Sequence, residues 1–183
     1  MQKLQSGLFF CPKYIPNKIL SIEGIIVNQE GEKRGRIEID QTTGLITKVG
    51  EPIGVADVIL KDELIFPGFI DLHVHAREDV GHTQDYKEDF ITAGEAAKNG
   101  GVVAFEEMPK NQIPPIDDKS YNEKKVLSAT STVSVLHYAG IGPKTKPLST
   151  KVPYKVFMGK SEGDFFFTTL PERESILQNY QGQ

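Results

Sequence analysis

Two histidines separated by one residue, His73 and His75, stand in the string Asp71-Leu72-His73-Val74-His75-Ala76-Arg77 of this 183-residue chain. In an extended strand residues i and i+2 point to the same face, so the two imidazoles project together while Leu72 and Val74 face the other way, toward packed helices. Converging ring nitrogens are natural ligands for Zn²⁺ or a similar divalent ion. Arg77 continues the same parity and would set a guanidinium near that ion, suited to gripping a carboxylate with two hydrogen bonds. The spacing alone leaves a plainer alternative open, a core or edge histidine pair with no metal, because a metal normally takes three or four ligands. Position favours chemistry: the pair follows Phe66-Pro67-Gly68 at the end of an apolar strand, where α/β barrels place their active sites.

The elements that must hold these residues change character along the chain. Over 19–60, short Ile- and Val-rich runs alternate with Gly-containing turns, as in Arg36-Ile37-Glu38-Ile39-Asp40, which predicts a small antiparallel β unit. From residue 69 the pattern becomes strand and helix in turn. A buried strand over 69–75 leads to an amphipathic helix over 85–99, with Phe90, Ala93, Gly94 and Ala97 on one face and Asn99-Gly100-Gly101 ending it. Next come a strand over 102–108, a helix near 117–129, a strand over 132–137, a loop over 140–153 and a short strand over 154–158. A helix over 171–180 closes the series, opened by Pro171 and Glu172. This order predicts βα units with a parallel sheet whose strands are buried on both faces.

Composition narrows the classes of function. With 21 basic and 25 acidic residues the formal net charge is −4, and no basic run offers a footprint for nucleic acid or an anionic membrane. The apolar runs fall far short of the ~20 residues a spanning helix needs, and the segment after Met1 is too short for a secretory signal. A lone cysteine, Cys11, excludes an internal disulfide and agrees with a reducing cytoplasm, the compartment expected here.

The extended string 66–78, Phe-Pro-Gly-Phe-Ile-Asp-Leu-His-Val-His-Ala-Arg-Glu, resembles the signature of the amidohydrolase superfamily, in particular its dihydroorotase and hydantoinase branch. Further stretches are similar in order and spacing: Lys87-Glu88-Asp89-Phe90, Gly100-Gly101-Val102, Met108-Pro109, Pro114-Pro115, and Tyr154-Lys155-Val156-Phe157-Met158-Gly159-Lys160-Ser161. The resemblance implies an α/β fold of two parts. Residues 1–65 would be a small β subdomain, part of a composite sandwich. Residues 66–183 would be the first four βα units of a metal-dependent (β/α)₈ barrel, ending before the fifth strand. A whole barrel typically takes about 250 residues.

The resemblance also implies roles. His73 and His75 would be metal ligands, and Lys155 falls where many members carry a carboxylated lysine bridging two metals; the alternative is a strand-end lysine with its amine in water. Arg77 would bind the substrate carboxylate. The family's substrate-binding asparagine directly follows Met-Pro, but here Lys110 holds that place and Asn111 comes one step later, so Asn111 is the candidate for that contact. One or two Zn²⁺ ions, or another divalent metal, would activate water toward a cyclic amide, and a general-base aspartate is expected beyond Gln183. The implied reaction is reversible hydrolysis of dihydroorotate to N-carbamoyl-aspartate in pyrimidine biosynthesis, with this chain alone expected to be inactive. Hydantoinase- or allantoinase-type hydrolysis, or a non-catalytic partner subunit, are the alternatives. The expected partners are a small cyclic amide and either a second copy or a complementing C-terminal half.

Lesser candidates have bland readings beside the chemical ones. His137 suits a satisfied structural histidine and His82 a solvent-exposed loop. Asp71 would orient a ligand imidazole or cap a turn. Of Glu106 and Glu107, at most one can point inward. Lys160 stands where related segments carry a small residue, and Cys11 reads as inert.

Overall fold

The computed structural model describes residues 18–159 and 166–182, which leaves Cys11 and Lys160 outside the described residues. Two compact units divide at residue 69/70.

The first unit is a four-stranded sheet of β1 (Ile19–Asn28), β2 (Gly31–Asp40), β3 (Leu45–Gly50) and β4 (Val58–Ile65), in the order β3-β2-β1-β4. Antiparallel pairing joins β1 to β2 and β2 to β3, as alternating strands with two- to four-residue turns require. β4 departs from the expected antiparallel unit by pairing parallel to β1, with a register shift between Glu23 and Ile25. The seven residues between β3 and β4 allow this. Arg36 is buried there, donating to Glu23 (3.2 Å) and to the carbonyls of Ile53 and Gly54, so the β3–β4 connection is tied to β2.

In the second unit β5 (Phe69–Val74), β6 (Val102–Glu107) and β7 (Ser134–His137) form one sheet in the order β5-β6-β7, with β6 and β7 parallel. The helices α1 (Phe90–Asn99) and α2 (Asp118–Ser128) follow β5 and β6. Each begins on an aspartate, Asp89 or Asp117, whose carboxylate accepts the N–H three residues on, at 2.7 and 2.8 Å. This capping corrects the expected start of the first helix from residue 85 to residue 90. Residues 84–87 instead close a turn, with Lys87 N–H donating to the Gln84 carbonyl. At the other end Gly101 takes φ +81°, the left-handed state that glycine supplies after a helix. The core is Ala76, Phe90, Ala93 and Phe105, with Val74, Val102, Val133 and Val135 packed on it.

Two other expectations need correction. The 69–75 strand is not buried on both faces: Ile70 is 61% and Leu72 59% exposed, because β5 is an edge strand of its sheet. The region read as a loop from 140 opens with a short strand, β8 (Ala139–Ile141), which pairs parallel with β9 (Tyr154–Val156). A last helix, α3 (Leu170–Gln178), is capped by Thr169. Just beyond it Tyr180 packs edge-on against Tyr154 with ring centroids 4.9 Å apart and donates to Thr145 at 2.8 Å. Among the described residues no helix is long and apolar enough to cross a membrane.

Candidate metal and substrate site

His73 and His75 leave the end of β5 on one face, ring centroids 5.3 Å apart and tilted by 56°. Asp71 accepts the main-chain N–H of His73 at 2.9 Å within β5. β9 brings Lys155 to the same cleft, and the strand's position is fixed by Tyr154, whose hydroxyl accepts the Leu148 N–H at 2.8 Å. The cleft is about 460 Å³ and is lined by both histidines, Lys110, Lys155 and residues 156–159.

Its electrostatics are one-sided. Burial, followed by the positive charges of Arg77, His73, Lys110 and Lys155, pushes the His75 imidazole down to about 4. His75 is therefore neutral at pH 7, the state in which imidazole ligates a metal. Its Nδ1 is buried and has no hydrogen-bond partner among the described residues. A buried ring nitrogen without a partner costs free energy unless something outside the protein's own groups engages it. A divalent cation held by the two imidazoles fits this donor set, and negatively charged oxygens from a modified Lys155 or a bound anion fit the surrounding cations.

Arg77 and Asn111 lie differently from the sequence expectation. β5 ends at Val74, so strand parity does not extend to Arg77; its backbone turns into the left-handed region at φ +63°. For a non-glycine residue this costs of order ~1–3 kcal/mol and persists where neighbours enforce it. The Arg77 guanidinium reaches the main-chain carbonyl of Lys110 at 3.4 Å. Asn111 points its amide at the Glu78 carbonyl (3.4 Å), its Oδ1 is buried without a partner among the described residues, and Lys110 lines the cleft in its stead.

Of Glu106 and Glu107 the inward one is Glu107, and its partner Lys124 is a residue the sequence pattern did not single out. Glu107, 1% exposed at the end of β6, accepts the Ala76 N–H at 2.6 Å and lies 3.4 Å from the ammonium of Lys124, itself 2% exposed on α2. The available signal was an acidic residue in an apolar strand with a lysine on the following helix. His137 is buried, with Nε2 2.7 Å from Ser128 Oγ and its ring edge-on to Phe90 and Tyr121, but its Nδ1 has no hydrogen-bond partner among the described residues, so it is not the fully satisfied structural histidine expected. Glu78, His82 and Asp85 also bring ligand-type atoms within 4.8 Å of one another. All three already have partners within the fold, since His82 bonds Asp85 at 2.7 Å and Glu78 accepts the Phe90 N–H at 2.8 Å.

Fold and site together define an α/β protein that presents a strand-end imidazole pair suited to a metal ion. An allantoinase of Bacillus licheniformis is 33% identical over 158 residues, covering 78% of this chain and 34% of that protein. Dihydroorotases of Listeria welshimeri and Thermococcus kodakarensis are 34% and 32% identical over 150 and 139 residues, covering 79% and 72% of this chain and 33% and 32% of theirs. Among solved structures, an L-hydantoinase from Arthrobacter aurescens superposes with a TM-score of 0.71 at 20% identity, over 87% of this chain and 37% of that one. No family model matches the chain. The chain belongs to the amidohydrolase superfamily, whose members are metal-dependent, and corresponds to the N-terminal portion of its relatives. It spans about a third of the length of the curated relatives it matches.

Proposed function

We propose that the protein works as the metal- and substrate-binding portion of a cyclic amide hydrolase of the dihydroorotase type. The observation that carries this reading is the neutral, unpartnered His75 beside His73 in a cleft ringed by cations. In this reading residues 66–183 are the first four βα units of a (β/α)₈ barrel, and residues 1–65 belong to a small sandwich. His73, His75 and Lys155 hold Zn²⁺, one ion or two, with Lys155 contributing oxygen once its amine is carboxylated. The metal, when bound, supplies Lewis acidity toward an amide carbonyl and acidifies water. The chain's own groups bind and orient. Arg77 takes the substrate carboxylate, Lys110 adds positive charge at the cleft, and the lining over 156–159 walls it. No described residue is assigned the proton transfer to the leaving nitrogen.

These cations favour an anionic ring, dihydroorotate, over uncharged hydantoin or allantoin. Calorimetry of the Zn²⁺-loaded chain with the three compounds tests this. Dihydroorotate is expected to bind most tightly, with Arg77→Gln weakening it by about tenfold or more, the worth of one charge-assisted contact. Equal binding of the three compounds, or tighter binding of allantoin, would overturn the choice of substrate.

A further inference from the structure

We propose that the buried Glu107–Lys124 pair is a positioning device that clamps residues 76–78 from both sides and thereby fixes His75 and Arg77 for metal and substrate. This rests on the reading of His75 as a ligand.

The clamp is built from three elements. From β6, Glu107 Oε2 accepts the N–H of Ala76, the residue immediately after His75, at 2.6 Å. From α2, the Lys124 ammonium donates to the carbonyl of Glu78, the residue immediately after Arg77. The two side chains meet at 3.4 Å, and Lys124 also sits 5.1 Å above the Phe90 ring on α1. Arg77, in its left-handed conformation, is therefore held between two anchored neighbours. Main-chain bonds complete the frame, with Met108 N–H donating to Val74 (2.9 Å), Tyr138 N–H to Glu107 (3.2 Å) and Glu78 N–H to Ala76 (2.7 Å). A buried ion pair is a poor source of net stability against apolar residues of the same volume, so its placement under this loop calls for another role. Groups that orient metal ligands typically cost about 10- to 100-fold in metal affinity when removed.

The test uses the 183-residue chain with Co²⁺ as probe, at a temperature where circular dichroism shows parent and variants folded. Glu107→Gln and Lys124→Met are each expected to weaken Co²⁺ binding by about tenfold or more and to alter its visible absorption. They should also shift the ¹⁵N imidazole resonances of apo His75. A merely structural role would lower the melting temperature and leave affinity, absorption and the His75 resonances as in the parent, which would overturn the proposal. Should either single variant fail to fold, the doubly neutral Glu107→Gln/Lys124→Met chain replaces it with the same readouts. In the parent the Ala76 amide should exchange with solvent at the slow rate of the β6 core amides, and fast exchange there would also overturn the clamp. A parent that binds no Co²⁺ sinks the metal reading instead, and leaves the exchange and imidazole readouts to decide the clamp.

Discussion

Among the four histidines of this chain, environment separates the roles that residue type leaves equal. His75 and His137 are both held neutral by burial, at about 4 and about 3. Each also has a buried Nδ1 with no partner among the described residues; His137, however, has a serine hydroxyl at 2.7 Å on Nε2 and aromatic edges around it, whereas the His75 ring stands beside His73 and lines a cationic cleft. His82 moves the other way, raised by its bond to Asp85. The linkage for His137 has a definite sign. Its folded-state value lies below the unfolded one, so the unfolded chain binds the extra proton. Stability is therefore lost as pH falls from about 6.5 toward 3, at up to ~1.4 kcal/mol per pH unit. His137→Asn should flatten the dependence of the urea midpoint on pH between 6 and 4 without abolishing it, since His75 contributes with the same sign. An unchanged slope would show that His137 is not neutral in the fold.

At the scale of elements, the strands and helices were legible where a local rule decides them. Asn99-Gly100-Gly101 stops a helix for local reasons, and the second helix starts beside Asp117 as its pattern predicts, whereas the Asp89 cap, though equally local, lies four residues beyond the start predicted for the first helix. The same-face projection of His73 and His75 was legible from strand period alone. What escaped was non-local. The parallel pairing of β4 with β1, the continuation of the chain past β7 into β8, and the exposure of Ile70 and Leu72 depend on which strand lies alongside. The turn at Arg77 escaped because the strand stops one residue before His75, and the Glu107–Lys124 pair because its partners are 17 residues apart. A test of packing between elements is Gly94, buried on α1, where an added methyl would lie 2.5 Å from Ser131 Oγ and 2.8 Å from Thr132 N. Helix propensity favours alanine by ~1 kcal/mol, but main-chain overlap costs ~1–3 kcal/mol. Gly94→Ala is thus expected to lower the melting temperature, and a rise would show that α1 packs less closely.

For the whole molecule, the second unit exposes large apolar side chains at Ile70, Leu72, Leu136 and Met158. An edge strand carrying two of them is a site for self-association. The purified chain should elute above the size of a 20.3 kDa monomer as its concentration rises, and Leu72→Lys should shift it toward the monomer. A parent that stays monomeric throughout would show that the exposed edge is not sticky. The proposed function makes a sharper demand, because it puts the metal on His73 and His75. Zn²⁺ titration by calorimetry, comparing the parent with His73→Asn and His75→Asn, tests that claim most directly. The account predicts saturable binding near neutral pH that either substitution weakens by about 100-fold or more. Binding that survives both substitutions unchanged, or a parent with no affinity for Zn²⁺ or Co²⁺, would contradict it.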